Sequence, residues 1–401
     1  MKFLFDDESF SFETLRAAGF TAYQGADLGE ILATARDITD GDEPSWHRSW
    51  KATAEHVAAI GEQALAAGHR VSAREALLRA SNYYRTAEFF LRDAPATDPE
   101  AALLSTRSRH TFVAAAALLD SPVETVAIPY EGTTLPGYLF LVDDSGTPRP
   151  TVIYTNGYDS TAEEAYFVIA AAALRRGYNV LAYDGPGQGA ALREQKLVFR
   201  PDWEAVISPV LDYALTRPEI DAARITLFGY SLGGYLVTRA AAYDHRVAAL
   251  ILDDGVLDMA AAFERAMTPE IIAWIEEGCD EEANAALAAG AATSTQMRWA
   301  LRNGVWTLGA HSYADLVRRA GAYSLAGHAD KVIAATLVLD AENDQFFKGQ
   351  PHLLAERLVN APATLVTMSD AEGAGEHCHV GAFHRAHQVM FDWLDTALAA
   401  S

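Results

Sequence analysis

The pentapeptide Gly229-Tyr230-Ser231-Leu232-Gly233 carries the sharpest chemical signal in the chain. It follows the apolar run Ile225-Thr226-Leu227-Phe228 and precedes a segment, Tyr235 to Ala242, that reads as helix. A G-x-S-x-G pattern between strand and helix makes a turn so tight that the serine is strained and its neighbours must be small. Gly229, Gly233 and Gly234 supply that room. A glycine-rich turn with a solvated serine is the plainer reading. The strand–turn–helix setting favours a nucleophile.

A serine hydroxyl attacks poorly without a base in hydrogen-bond reach. The base in turn needs an acid to fix its tautomer and stabilise its charged form. The acid is expected after a late strand, and Leu337-Val338-Leu339 runs into Asp340-Ala341-Glu342-Asn343-Asp344. Asp344, in the loop beyond the strand, is the first choice and Asp340 the second. The histidine is expected after the last strand, between Ser369 and His379. His377 follows the flexible Gly373-Ala374-Gly375-Glu376 stretch and is preferred to His379, which adjoins the final helix. His384 and His387 read as helix-face residues.

An oxyanion needs two backbone N–H groups aimed at the developing charge. Leu232, after the serine, is one candidate. The other is Tyr158, in the loop Asn156-Gly157-Tyr158-Asp159 after the third strand. Asp184-Gly185-Pro186-Gly187-Gln188-Gly189 suggests a phosphate loop but lacks its spacing and lysine, so it reads as a structural turn. His377, Cys378, His379, His384 and His387 make a ligand-like cluster, yet His-x-His followed by His-x-x-His matches no zinc signature. No metal and no cofactor are expected.

The elements that must position these groups change character along the chain. Residues 1–120 read as helical, rich in alanine, leucine, glutamate and arginine, with a break at Asp93 to Pro99. After Ser121-Pro122 a hairpin is expected from Val123 to Pro129 and Leu135 to Val142. Further strands are expected at Thr151–Thr155, Asn179–Tyr183, Ile225–Phe228, Val247–Leu252, Thr336–Leu339 and Thr364–Met368. Helices are expected near 161–176, 202–216, 232–242, 350–359 and 380–399. Short apolar strands alternating with helices indicate an α/β domain over 121–401, its mostly parallel sheet covered by helices. Residues about 256–331 are helical without a clear strand, as a lid insertion over the sheet would be. Ligands bind beyond the carboxyl ends of such strands.

Composition narrows the function. The chain has 401 residues, half of them hydrophobic, and a net charge of −23. That charge repels nucleic acid and anionic membranes, so neither is expected as a partner. No apolar run approaches a membrane span. The start turns acidic at Asp6-Asp7-Glu8, unlike a secretory signal. Two cysteines, Cys279 and Cys378, make no disulfide framework. A cytoplasmic location is the default expectation.

Together these residues resemble the α/β-hydrolase superfamily over roughly 121–401. A narrower likeness rests on Gly25-Ala26-Asp27-Leu28-Gly29-Glu30, on Gly41-Asp42-Glu43-Pro44-Ser45-Trp46 with Trp50, and on Ser81-Asn82-Tyr83-Tyr84-Arg85. Asn156 to Ser160, Asp184 to Gly189 and Gly375-Glu376-His377-Cys378 extend it. These segments are similar to the branch that holds 2,6-dihydroxypseudooxynicotine hydrolase and the fungal pigment heptaketide-shortening hydrolases. The resemblance implies an α/β-hydrolase fold and a triad of Ser231, Asp344 and His377. It also implies a homodimer whose N-terminal helical region, 1–120, caps the site. The implied reaction cleaves a carbon–carbon bond next to a ketone in a polyketide-like or aromatic small molecule. The branch also implies a lid glutamate that assists the reaction. Glu264, in Phe263-Glu264-Arg265, stands in a similar place, although a surface helix residue is the plainer reading there.

Branch members also include ester, lactone and acyl-transfer enzymes. An esterase, lactonase, or acyltransferase or cyclase on a polyketide or peptide-derived acyl substrate is therefore the alternative. A non-catalytic ligand-binding protein is the alternative of another class. Tyr83, Tyr84, Trp274, Trp299 and Trp306 either line an aromatic site or pack the core.

Overall fold

The computed structural model describes residues 2–399. Five helices come first: α1 (Glu8–Gly19), α2 (Leu28–Ala35), α3 (Glu43–Ala66), α4 (Arg70–Glu88) and α5 (Pro99–Ala116). Their starts are written in the sequence. Asp7, Asp42 and Asp98 each accept a hydrogen bond from the first turn of α1, α3 and α5, and proline opens α3 and α5 where no helical N–H is lost.

Eight strands follow: β1 (Val123–Tyr130), β2 (Thr133–Phe140), β3 (Arg149–Thr155), β4 (Asn179–Tyr183), β5 (Ile220–Tyr230), β6 (Ala249–Asp253), β7 (Ala335–Ala341) and β8 (Ala363–Met368). They form one sheet in the order β1-β2-β4-β3-β5-β6-β7-β8. β1 and β2 pair antiparallel, as do β2 and β4, and the other pairs are parallel. Alternate side chains enter opposite cores, as the two-residue period of a strand requires. Leu181, Leu227 and Leu250 face one core, and Val180, Phe228 and Ile251 face the other.

Helices cover both faces. They are α6 (Ala171–Leu174), α7 (Gly189–Gln195), α8 (Glu204–Leu215), α9 (Gly233–Ala241), α10 (Ala260–Glu264), α11 (Pro269–Glu277), α12 (Asp280–Thr293), α13 (Thr295–Thr307), α14 (Tyr313–Ala320), α15 (Gln350–Arg357) and α16 (Phe383–Ala399). The helix expected over 161–176 is the one that departs. Its regular α portion is only Ala171–Leu174, after a π-helical turn at Tyr166–Ala170. In that wider turn Phe167 stacks on Phe20 from the N-terminal region, with ring centroids 4.9 Å apart.

Helices α10–α14 fill the interval between β6 and β7, with a single bridge, Asp258 to Ser324, at their base. They meet the N-terminal helices over the sheet. Trp299 of α13 stacks on Phe89 at 4.5 Å and donates its indole N–H to the Phe89 carbonyl at 2.8 Å. Arg298 pairs with Glu43 of α3. No helix among the described residues is long and apolar enough to cross a membrane.

Candidate active site

The chain leaves β3 for β4 on one side, then returns to lay β5 on the other side of β3. The loops after β3 and β5 therefore emerge side by side, at the switch point where α/β sheets bind ligands. Ser231 follows β5 with φ at +57°, a left-handed conformation that costs a residue with a Cβ. The packing there tolerates little more than glycine. A Cβ on Gly157 would come within 2.7 Å of the Tyr230 carbonyl and 2.9 Å of the Ser231 Cβ.

His377 reaches this serine from the loop after β8. Its Nε2 lies 2.9 Å from Ser231 Oγ, and its Nδ1 lies 2.8 Å from Asp344 Oδ2. With Nδ1–H donated to Asp344, Nε2 is left to accept from the serine hydroxyl. Asp344 is itself fixed, because its Oδ1 accepts from the backbone N–H of Phe346 and Phe347 at 2.6 and 2.7 Å. Burial alone would raise its pKa, but His377 and these donors hold it well below the usual carboxylate range. The rings of Phe12, Phe346 and Phe347 surround the imidazole.

A second carboxyl stands at the same nitrogen. Asp254, fully buried just past β6, brings Oδ2 within 2.6 Å of His377 Nδ1. Burial, reinforced by Asp344, pushes its pKa well above the usual value. Burial also opposes charge on His377, but the facing Cys378, Asp344 and Asp254 outweigh it and raise the imidazole. His377 and Asp254 are thus competing sites for one proton.

The loop after β3 is held from both ends. Asp184, at the end of β4, accepts from Asn156 Nδ2 at 3.0 Å and from the backbone N–H of Ala162 and Ala190, both at 2.8 Å. Gln188 donates to the Asn156 carbonyl at 2.6 Å. Asp159 is gripped by Arg16 of α1 at 2.7 Å and Arg85 of α4 at 2.8 Å. Burial would raise Asp159, and these two guanidinium groups more than reverse it, so its pKa is lowered. Arg16 also donates to Ser160 and Glu164, and Arg85 to Glu13.

Above Ser231 opens a cavity of about 540 Å³. Its walls include Phe12 and Arg16 from α1, Tyr158 from the loop after β3, Phe263 from α10, and Met297 and Trp299 from α13. Ser231, Leu232 and His377 form part of its floor. A family model described as Esterase FrsA-like matches residues 41–271. The hydrolase LUC6 of a Fusarium species is 39% identical over 98% of this chain and 97% of its own. The 20-hydroxy-prefusarin hydrolase FUS2 of Gibberella moniliformis is 38% identical over 99% and 98%.

The chain is an α/β-hydrolase of the FrsA-like esterase family.

Its fold is also that of the crystal structure of 2,6-dihydroxy-pseudo-oxynicotine hydrolase, at a TM-score of 0.77, 23% identity and 96% coverage of both chains. The remaining candidates in this hydrolase fall out by position. Asp340 bonds Thr367 and His352 on the other side of β7 from the serine. His379 donates its Nδ1–H to the Ala374 carbonyl at 2.9 Å and faces Asp253 at 3.3 Å, away from Ser231. His387 lies on the inner face of its helix. It is buried between the Tyr23 hydroxyl and the Val168 carbonyl. Glu264 ends α10, and it is Phe263 and Arg265, its neighbours, that line the cavity. Of the five aromatic candidates, Trp299 lines the cavity, whereas Tyr83 and Tyr84 are buried in the N-terminal core, Trp274 packs half-buried against the core that holds Leu227, and Trp306 lies under Arg92 and Arg193.

Ligand-type atoms of Asp254, His377 and Cys378, and of Asp253, Asp254 and His379, lie within 4.8 Å of one another. Among the described residues, these are the side-chain groups that could hold a cation. His377 already has hydrogen-bonding or ionic partners at both nitrogens, so its placement is explained without one. Asp254 and the Arg16–Asp159–Arg85 clamp carry no signature in the sequence. Nothing in the letters Asp253-Asp254 marks a carboxyl bound for the imidazole, and the clamp joins residues far apart in the chain.

Proposed function

We propose that this hydrolase is a metal-independent serine enzyme that cleaves a carbon–carbon bond next to a ketone in a polyketide-like or aromatic small molecule. The observation that carries the reading is His377 held between Ser231 Oγ and Asp344 Oδ2 beneath an aromatic-walled cavity. Ser231 is the nucleophile, His377 the base and Asp344 the orienting acid. The backbone N–H groups of Tyr158 and Leu232 receive the oxyanion. Helices α1–α5 act as a cap and α10–α14 as a lid. A cavity of this size suits a small molecule of several rings, and FUS2 is named for 20-hydroxy-prefusarin.

The chemistry runs as follows. His377 takes the Ser231 proton as Oγ attacks the ketone carbon, giving a tetrahedral oxyanion. Collapse breaks the bond to the neighbouring carbon. The departing carbanion, stabilised by an adjacent carbonyl or a hydroxylated ring, takes the proton from His377. Water, deprotonated by His377, then releases the acyl group as a carboxylic acid and restores Ser231. Ester, lactone or acyl-transfer chemistry uses the same first step with an oxygen leaving group, and the family description as esterase-like favours it as the second reading. A homodimer acting in the cytoplasm completes the proposal. Two cysteines without a disulfide suit that compartment.

A serine-reactive phosphonate tests the reading. It should label Ser231 in the intact chain and leave Ser231→Ala unlabelled. Ser231→Ala should lower turnover by about 10⁶-fold, as loss of a triad nucleophile does. Near-normal turnover in that variant would refute the assignment, and failure to label a folded wild-type chain would favour a non-catalytic binding protein.

A further inference from the structure

We propose that Asp254 is a neutral carboxylic acid that shares His377 Nδ1 with the ionised Asp344, so that the imidazole is oriented by a two-carboxyl unit carrying one negative charge. The proposal rests on the reading of Ser231, His377 and Asp344 given above and deepens it.

The two carboxyls meet on one nitrogen but are treated differently by their surroundings. Asp344 Oδ1 receives two backbone N–H donors. Among the described residues Asp254 Oδ1 has no hydrogen-bond partner, and the side chain is 0% exposed. A carboxylate so placed has lost its water and gained no donor at Oδ1. A carboxylic acid costs far less there. The two carboxyls also lie within hydrogen-bonding reach of each other, so the Asp254 O–H has an acceptor in Asp344. Like charges this close do not both ionise readily, as in other carboxyl pairs that share a proton.

The groups that face Asp254 leave this arrangement intact. From its own strand end comes Asp253, itself raised by burial. From the loop after β7 comes Asp344. From the loop after β8 come His377, the Cys378 thiol 3.9 Å from Asp254 Oδ2, and His379 opposite Asp253. Behind them β5 presents Tyr230, whose phenol burial keeps protonated. His377 is the competing site for the Asp254 proton. Placing that proton on Nε2 would create three charges in a dry pocket, where placing it on Asp254 leaves one. It would also remove the lone pair that must accept from Ser231. The retained proton on Asp254 therefore keeps the imidazole available as a base. Asp254 acts through His377 and is a positioning residue.

The experiment compares the full-length wild type with Asp254→Asn and Asp344→Asn, using phosphonate labelling of Ser231 across neutral to alkaline pH. An infrared difference spectrum of wild type minus Asp254→Asn is recorded at neutral pH. Asparagine offers Asp344 an N–H in place of the acid O–H, so Asp254→Asn should label about three- to tenfold more slowly than wild type. Asp344→Asn should fall by about 10⁴-fold. The difference spectrum should show a protonated-carboxyl stretch belonging to the wild type. The wild-type rate should step at alkaline pH as Asp254 ionises and makes the imidazole more basic, a step that Asp254→Asn lacks. If Asp254→Asn falls as far as Asp344→Asn while remaining folded, Asp254 is an ionised partner of the histidine and the proposal is wrong. If the carboxyl band and the alkaline step are unchanged by the substitution, Asp254 plays no part. A wild type that never labels at Ser231 would instead sink the underlying serine-enzyme reading.

Discussion

At the scale of single residues, two histidines two positions apart occupy different worlds. His377 touches the serine and two carboxyls, whereas His379 turns its ring into the core against Ala374 and Asp253. His377→Ala should therefore abolish turnover by several orders of magnitude with little change in Tm, roughly the loss expected for a triad base. His379→Asn, which keeps an N–H for the Ala374 carbonyl, should lower Tm but retain at least about a tenth of the activity. The opposite pattern in turnover would exchange their roles. Chain order made the meeting of Ser231, His377 and Asp344 legible, because acid and base are sought after particular strands. The approach of Asp254 was not legible. Once Asp344 filled the acid's place, nothing in the letters Asp253-Asp254 marked a second carboxyl, and only the closing of β6 against β7 carries it to the imidazole.

Among the elements, the buried strands were the easiest to read. Runs such as Val180 to Tyr183 and Leu250 to Leu252 are apolar throughout because both sheet faces are covered. The segment before β4 is less legible, because helix-favouring alanines give no hint of the wider π turn, which packs against Phe20 of the N-terminal region. The glycine-rich turn after β4 proves to be a brace for the loop after β3, with Asp184 as its pin. Burial, then the nearby Glu163, push the Asp184 carboxyl up to about 7 from a model-compound value of 3.8. A carboxyl raised on folding favours the folded chain when protonated. Its contribution is fully present below its unfolded value and fades as the pH rises through the folded one. The Tm of the wild type relative to Asp184→Asn should therefore decline as buffer is moved from about pH 4 to about pH 7. A difference in Tm that stays flat, or grows, over that interval would show that Asp184 is not the buried acid described.

For the molecule as a whole, the N-terminal helices are bound into the rest by charge as well as by aromatic packing. Arg16 and Arg85 neutralise Asp159 and Glu164, which belong to the loop and turn after β3. Removing one partner from such a buried pair costs about 3–5 kcal/mol, because the other is left charged and dry. Deleting residues 1–120 strips both arginines and uncovers Phe167 and its neighbours, so the truncated chain should aggregate or lose substrate closure. A soluble, monomeric truncation with unchanged kcat and KM, measured on a small ester, would show that these helices neither hold the fold nor cover the site. This dependence was partly legible, since only Asp120-Ser121-Pro122 separates the helical run from the first strand.

Much of the cavity's wall has a different origin from its floor. Phe12 and Arg16 belong to the first helix, and Met297 and Trp299 to a helix nearly three hundred residues later, while Ser231, His377 and Asp344 all ride on loops of the sheet. Inherited changes can therefore accumulate in the walls without disturbing the machinery beneath them. Descendants of such a chain are free to trade one molecule for another while keeping the same reaction, and their divergence should be written first in α1 and α13.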